Sequence, residues 1–103
     1  MAVSKFIANY TLACGRMYIN HISTLSESGE LLGLRKADGE LACTRYVPGV
    51  LCLMPEGYPL EQLRGADLGA MKDALMHESA RMGERVVAIE LDLEANHASV
   101  LAK

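Results

Sequence analysis

The chain has no tryptophan, and its aromatic residues are Phe6, Tyr10, Tyr18, Tyr46 and Tyr58 alone. Any core must therefore be mostly Leu, Val, Ile, Ala and Met. A basic cluster is also missing. The ten Lys and Arg residues are scattered among thirteen acidic ones, whereas binding a phosphate backbone needs positive charge gathered in one place. That argues against nucleic acid as a partner. No apolar run approaches the roughly 20 residues that a spanning helix needs. The opening MAVSKFIANY has one Lys but neither an apolar region after it nor a cleavage site. Neither a membrane partner nor a secretory leader is expected. The three cysteines, Cys14, Cys43 and Cys52, are odd in number and sit in apolar or strand-like contexts. They read as buried free thiols of a cytoplasmic protein, not as a disulfide framework.

What is present describes one globular domain, residues 1–103. Half of the residues are apolar and 22% are charged, a folded composition, and this length supports one ordinary core without staples. The formal charge of −3 arises wholly in the C-terminal third. Acidic and basic residues balance over 1–65 and diverge only beyond it.

Residues 6–13, FIANYTLA, alternate with period two, which places Phe6, Ala8, Tyr10 and Leu12 on one side of a half-buried strand. Cys14-Gly15-Arg16 breaks that strand. MYINHISTL (17–25) is a second β-rich run, Ser26-Glu27-Ser28-Gly29 a turn, and ELLGLRK (30–36) a third extended segment. Asp38-Gly39 is a strong two-residue hairpin signal, with ELACTRYV (40–47) as the returning strand. Pro48-Gly49 ends or bends it, and VLCLM (50–54) follows as a strand covered on both faces. Between Pro59 and Gly83 the residues favour helix, with Asp67 as N-cap and Gly83 as the stop. Leu68, Met71, Leu75 and Met82 lie near one stripe. RVVAIELDLE (85–94) alternates again, with Val87, Ile89, Leu91 and Leu93 inward and Val86, Ala88, Glu90, Asp92 and Glu94 outward. ANHASVLAK closes as a short turn or strand.

Catalytic chemistry is hard to find in these elements. The histidines and cysteines, at 14, 21, 43, 52, 77 and 97, show no spacing that preorganises metal ligands, and His77 reads as a surface residue. Glu90, Asp92 and Glu94, with His97 beyond, could offer oxygen ligands to a hard cation. The plainer reading is the solvated face of an edge or outer strand. No nucleophile elbow or phosphate-cradling glycine loop is present. Cys43 and Cys52 read as interior strand positions, where a thiol behaves as a small hydrophobe.

The run FIANYTLACGRMYINHISTLSESGELLGLRKADGEL resembles the N-terminal strands of metal-dependent amidohydrolases of the cytosine and guanine deaminase type. Ser28-Gly29-Glu30-Leu31-Leu32-Gly33-Leu34 is similar to that family's "dG.I..i" strand. Tyr46-Val47-Pro48-Gly49-Val50-Leu51-Cys52-Leu53-Met54-Pro55 is similar to the Pro-Gly-containing apolar strand that leads into its barrel. At the other end, ALMHESARMGE (74–84) resembles the last barrel helix, "AT.N.A..LG". RVVAIELDLEANHASVL resembles the "ADLVLLD" strand that re-enters the β-sandwich. The family places a metal-binding His-x-His pair after the apolar strand. Here Met54 is followed by Pro55-Glu56-Gly57-Tyr58-Pro59, and a catalytic barrel of about 250 residues does not fit into 103 residues. The resemblance therefore carries over no catalytic, cofactor or metal-binding residue. It implies the sandwich domain with the barrel missing, its halves joined through residues 55–66.

The expected fold is α+β and β-dominated: a small β-sandwich or half-open barrel of about six strands with one main α-helix. The expected function is that of a non-catalytic module for assembly or small-ligand binding, without a cofactor. A homo-oligomer or a protein partner would cover the surface that the barrel would otherwise occupy. The alternative is a small hydrolase-like enzyme with a site near Cys52–Tyr58 and His21 or His97. A remnant without selected activity is a third reading.

Overall fold

The computed structural model describes residues 3–39 and 43–102. The N-terminal runs form β1 (Ser4–Ala13), β2 (Arg16–Leu25) and β3 (Leu31–Lys36), and β4 (Thr44–Pro55) takes in both the TRYV and the VLCLM segments. A single 3₁₀ turn (Leu60–Leu63) and the helix α1 (Leu68–Glu78) follow, then β5 (Val86–Asp92) and β6 (His97–Ala102). The strands make one six-stranded sheet in the order β3-β2-β1-β4-β5-β6. Only β1 and β4 run parallel; the other neighbours are antiparallel. The β-dominated α+β architecture expected from the sequence is the one observed.

An irregularity shared by β1 and β4 curls this sheet. The register between β1 and β4 shifts between Ala8 and Tyr10, where β4 carries Pro48-Gly49. Below the shift Phe6 and Ala8 face the interior; above it Ala13 does, while Leu12 joins the core on the opposite face. The single-sided alternation expected for Phe6, Ala8, Tyr10 and Leu12 is thus corrected: Tyr10 is exposed, and an irregularity hands the strand from one face to the other. Bends of this kind let a strand serve two packed layers. Gly49 is required at the bend, because a Cβ there would collide with the Leu91 carbonyl oxygen.

Curling brings the upper end of β5 back to the start of β3. Glu30 bridges Arg85. The Leu31 N–H donates to the Glu84 carbonyl at 2.9 Å, and the Val86 N–H to that of Gly29 at 2.9 Å. The result is a half-open barrel around an interior of Phe6, Leu25, Leu31, Leu51, Leu53 and Val86. A second core, with Leu12, Cys52, Met54, Val87, Ile89 and Leu91, lies on the outer face beneath Leu63 of the 3₁₀ turn and Leu68 and Leu75 of α1. The 50–54 half of β4 is buried on both faces, as its unbroken apolar run predicts.

Three other expectations need correction. The Asp38-Gly39 segment does not lead into a β3–β4 hairpin: β4 lies beside β1, with both β1 and β2 between it and β3. The start of the expected returning strand, residues 40–42, lies outside the described residues. The helix begins at Asp67, whose Oδ1 accepts from the Ala70 N–H at 3.2 Å, but it stops at Ser79, short of Gly83. The Ser79 hydroxyl donates to the Met76 carbonyl at 2.7 Å and accepts from the Gly15 N–H at 3.0 Å. The next residue is then claimed by the sheet. The Ala80 N–H donates to the Leu53 carbonyl, and the Ala80 carbonyl accepts from the Cys14 N–H, both at 2.8 Å. Met82 accordingly falls off the helical stripe and is exposed. Finally, β5 is neither an edge nor one-sided. It runs between β4 and β6, so Val86 and Ala88 are buried along with Val87, Ile89 and Leu91, whereas Leu93 lies in the turn beyond and is exposed.

Candidate interaction face and the fate of the site residues

The segment Cys52–Tyr58 enters the structure as the end of β4 and a turn. Cys52 is fully buried under the helix, and burial pushes its thiol up to about 12, so at neutral pH it carries a proton and is a poor nucleophile. Tyr58 is raised above its ordinary value too, first by burial and then by the negative charge of Glu78 and by Cys52. Among the described residues no histidine hydrogen-bonds to Cys52 or Glu56. His21 lies on β2, with Nδ1 2.8 Å from the Ile19 carbonyl and its ring 5.0 Å from that of Tyr18. His97 opens β6 opposite Asp92. His77 is exposed on the helix, as expected. Hydrolase chemistry at Cys52–Tyr58 is therefore not assembled by this geometry.

Glu90, Asp92 and Glu94 do not form a cluster. Glu90 is half-buried beside Gly49. Asp92 spends an oxygen on the Ala95 N–H at 3.0 Å, closing the β5–β6 turn. Glu94 lies in that turn. No group of three or more His, Cys, Asp or Glu among the described residues could hold a metal ion. Of the cysteines, all free, only Cys52 is buried. Cys14 is half-buried in the β1–β2 turn at φ +52°, and Cys43 is exposed at φ +57° just before β4. Strand-like composition around Cys43 concealed that the chain turns there. No helix among the described residues is long and apolar enough to cross a membrane.

A feature that residue types alone did not disclose is the incomplete cover of the outer face. One cross-strand row runs Ile19–Tyr10–Val50–Leu91 by register. Exposure falls along it from 57% and 45% to 8% and 0%. A neighbouring row runs Met17–Leu12–Cys52–Ile89–Val100. It is sealed in the middle and open at both ends, with Met17 41% and Val100 46% exposed. Tyr46, opposite Ile7 on the same side of the sheet, is also exposed. Met17, Ile19, Tyr10 and Tyr46 thus form the uncovered continuation of the surface that α1 packs on. Period-two patterning marks such residues as apolar but says nothing about whether another element reaches them. Comparison with known protein families, curated proteins and solved structures found no match.

Proposed function

We propose that this chain is a non-catalytic assembly module, an amidohydrolase-like sandwich without a catalytic barrel, which docks a second copy or a protein partner on the outer face of its sheet. The observation that carries the reading is the uncovered half of that face at Met17, Ile19, Tyr10 and Tyr46. Exposed apolar side chains on adjacent register rows, Met17, Ile19 and Tyr10, with Tyr46 farther along the same side, fit the core of an interface better than a solvated surface. The kinship is supported by the central place of the Pro-Gly strand and by the pairing of β5 with it, which joins the C-terminal part of the chain to the N-terminal sheet. The buried, protonated Cys52 and the dispersed histidines fit a domain without its own chemistry.

Light scattering of the purified chain over a hundredfold range of concentration tests this, together with capture from lysate and mass spectrometry. A dimer, or one stoichiometric partner, that is lost in Ile19→Asp and Tyr10→Asp supports it. A wild-type chain that stays monomeric and captures no partner refutes it.

A further inference from the structure

The far end of the outer row, at Val100, opens into a groove of about 450 Å³ between the 3₁₀ turn and β6. Its volume lies in the range typical of small-molecule sites, about 300–1,000 Å³. Ile89 and Val100 form an apolar floor, Leu60 and Leu63 an apolar wall, and Glu61, Arg64 and His97 line it as well. Asn96 links the segment that follows Arg64 to the turn that precedes His97. Its Nδ2 donates to the Ala66 carbonyl at 2.8 Å and its Oδ1 accepts from the Leu68 N–H at 2.9 Å, which ties the β5–β6 turn to the entrance of α1. Arg64 is exposed and in no ion pair among the described residues, although Glu61 precedes it by three positions. A guanidinium outside any ion pair, in a groove of mixed lining that also offers Leu60, Leu63 and Val100, matches a carboxylate on an apolar body. The planar fork pairs with the two oxygens, and Ile89 and Val100 take the hydrocarbon.

We propose that this groove binds a small monocarboxylate with an aliphatic or aromatic body, its carboxylate on Arg64 beside His97. Inorganic phosphate, which shares the charge but not the body, binds more weakly, as does an uncharged alcohol of the same length. The site stands apart from the Tyr10–Ile19 face, across the width of the sheet, so it holds or fails independently of the assembly reading.

Hexanoate, hexanol and inorganic phosphate are titrated into the ¹⁵N-labelled chain while backbone amide shifts are followed. The expected result is saturable movement of the Gly65, His97, Ala98 and Val100 amides by hexanoate in the millimolar range. Arg64→Gln should weaken hexanoate about tenfold and hexanol less than about twofold, consistent with loss of a charge-assisted pair. Val100→Asp should abolish both. Both side chains are exposed, so an unchanged amide spectrum away from the groove verifies folding. Absence of saturable shifts at these amides, equal affinity for hexanol or phosphate, or unchanged hexanoate affinity in Arg64→Gln would each overturn the proposal. So would shifts confined to Tyr10 and Ile19.

Discussion

Replacing Asn96 by Ala should remove the latch between the β5–β6 turn and α1, and its cost can be built from three parts. The Leu68 N–H belongs to the first helical turn, where no main-chain acceptor is within reach. Its bond to Asn96 Oδ1, at 2.9 Å and partly buried, contributes about 1 kcal/mol. The bond from Nδ2 to the Ala66 carbonyl is exposed at 2.8 Å and counts for about 0.5 kcal/mol, the low end of the range. The backbone of Asn96 sits at φ +53°, a left-handed conformation that Asn tolerates and that costs Ala about 1 kcal/mol. Asn96→Ala should therefore destabilise by about 2.5 kcal/mol. Asn96→Gly loses the bonds without the steric penalty and should cost about 1.5 kcal/mol. Asn96→Asp retains the acceptor for Leu68 and should cost least, about 1 kcal/mol, because its carboxylate then faces the Ala66 carbonyl. Urea unfolding followed by circular dichroism measures all three, with the denaturant slope unchanged if only the native latch is altered. Ala and Gly variants both within about 0.5 kcal/mol of wild type would refute the latch. Gly as damaging as Ala would refute the strain component.

Three further expectations test the barrel itself. Thr11 Oγ1 is buried without a hydrogen-bond partner, so Thr11→Val, which replaces an orphaned hydroxyl by a methyl of similar size, should stabilise by about 1 kcal/mol; a lower melting temperature would contradict this. Gly49→Ala would force a Cβ against the Leu91 carbonyl and should cost about 2–3 kcal/mol by prising β4 from β5, where a neutral effect in urea unfolding would show that the bend tolerates a side chain. Cys52 holds its proton up to about 12 when folded, against 9.0 for the free thiol, so its contribution is complete below pH 9 and is lost between pH 9 and 12 at about 1.4 kcal/mol per pH unit. Cys52→Ala should remove that slope relative to wild type, and parallel stability curves for the two proteins over this window would count against it.

The strands were legible wherever the signal was local. FIANYTLA, MYINHISTL and RVVAIELD announce themselves by β-rich composition and alternation, VLCLM by its unbroken apolar run, and the helix start by Asp67 before an amphipathic segment. What escaped was long-range. Gly39 does take a positive φ, +99°, but a turn signal does not say which strand its exit will pair with. β4 finds β1, where its apolar residues serve both cores. The early end of α1 has the same origin. Ser79 through Met82 can continue a helix by propensity, yet Ala80 is used between β1 and β4 and Gly83 donates to the Leu31 carbonyl at 2.8 Å. The partners of Asn96 lie 28 and 30 residues away in sequence, so nothing in ANHASV could disclose the latch.

Both candidate surfaces follow from one mismatch of dimensions. Six strands at about 4.8 Å spacing make a face about 24 Å wide. A helix is about 10 Å across and rises about 1.5 Å per residue, so the 11 residues of α1 extend about 16 Å. One such helix cannot cover that face in any orientation, and the 3₁₀ turn adds only four residues. Cover is therefore spent where the apolar rows are deepest, over Leu12, Cys52 and Ile89, and both margins are left open. On the β1–β2 side the open margin exposes Met17, Ile19 and Tyr10, which suits a protein surface. On the β6 side the 3₁₀ turn overhangs it and adds Arg64, which suits a small anion. Continuing α1 to Gly83 would have added about 7 Å of helix, but only by withdrawing Ala80 from between β1 and β4, where its two backbone hydrogen bonds hold those strand ends together. The hydrogen bonding that closes the barrel thus also fixes how much of its outer face stays bare.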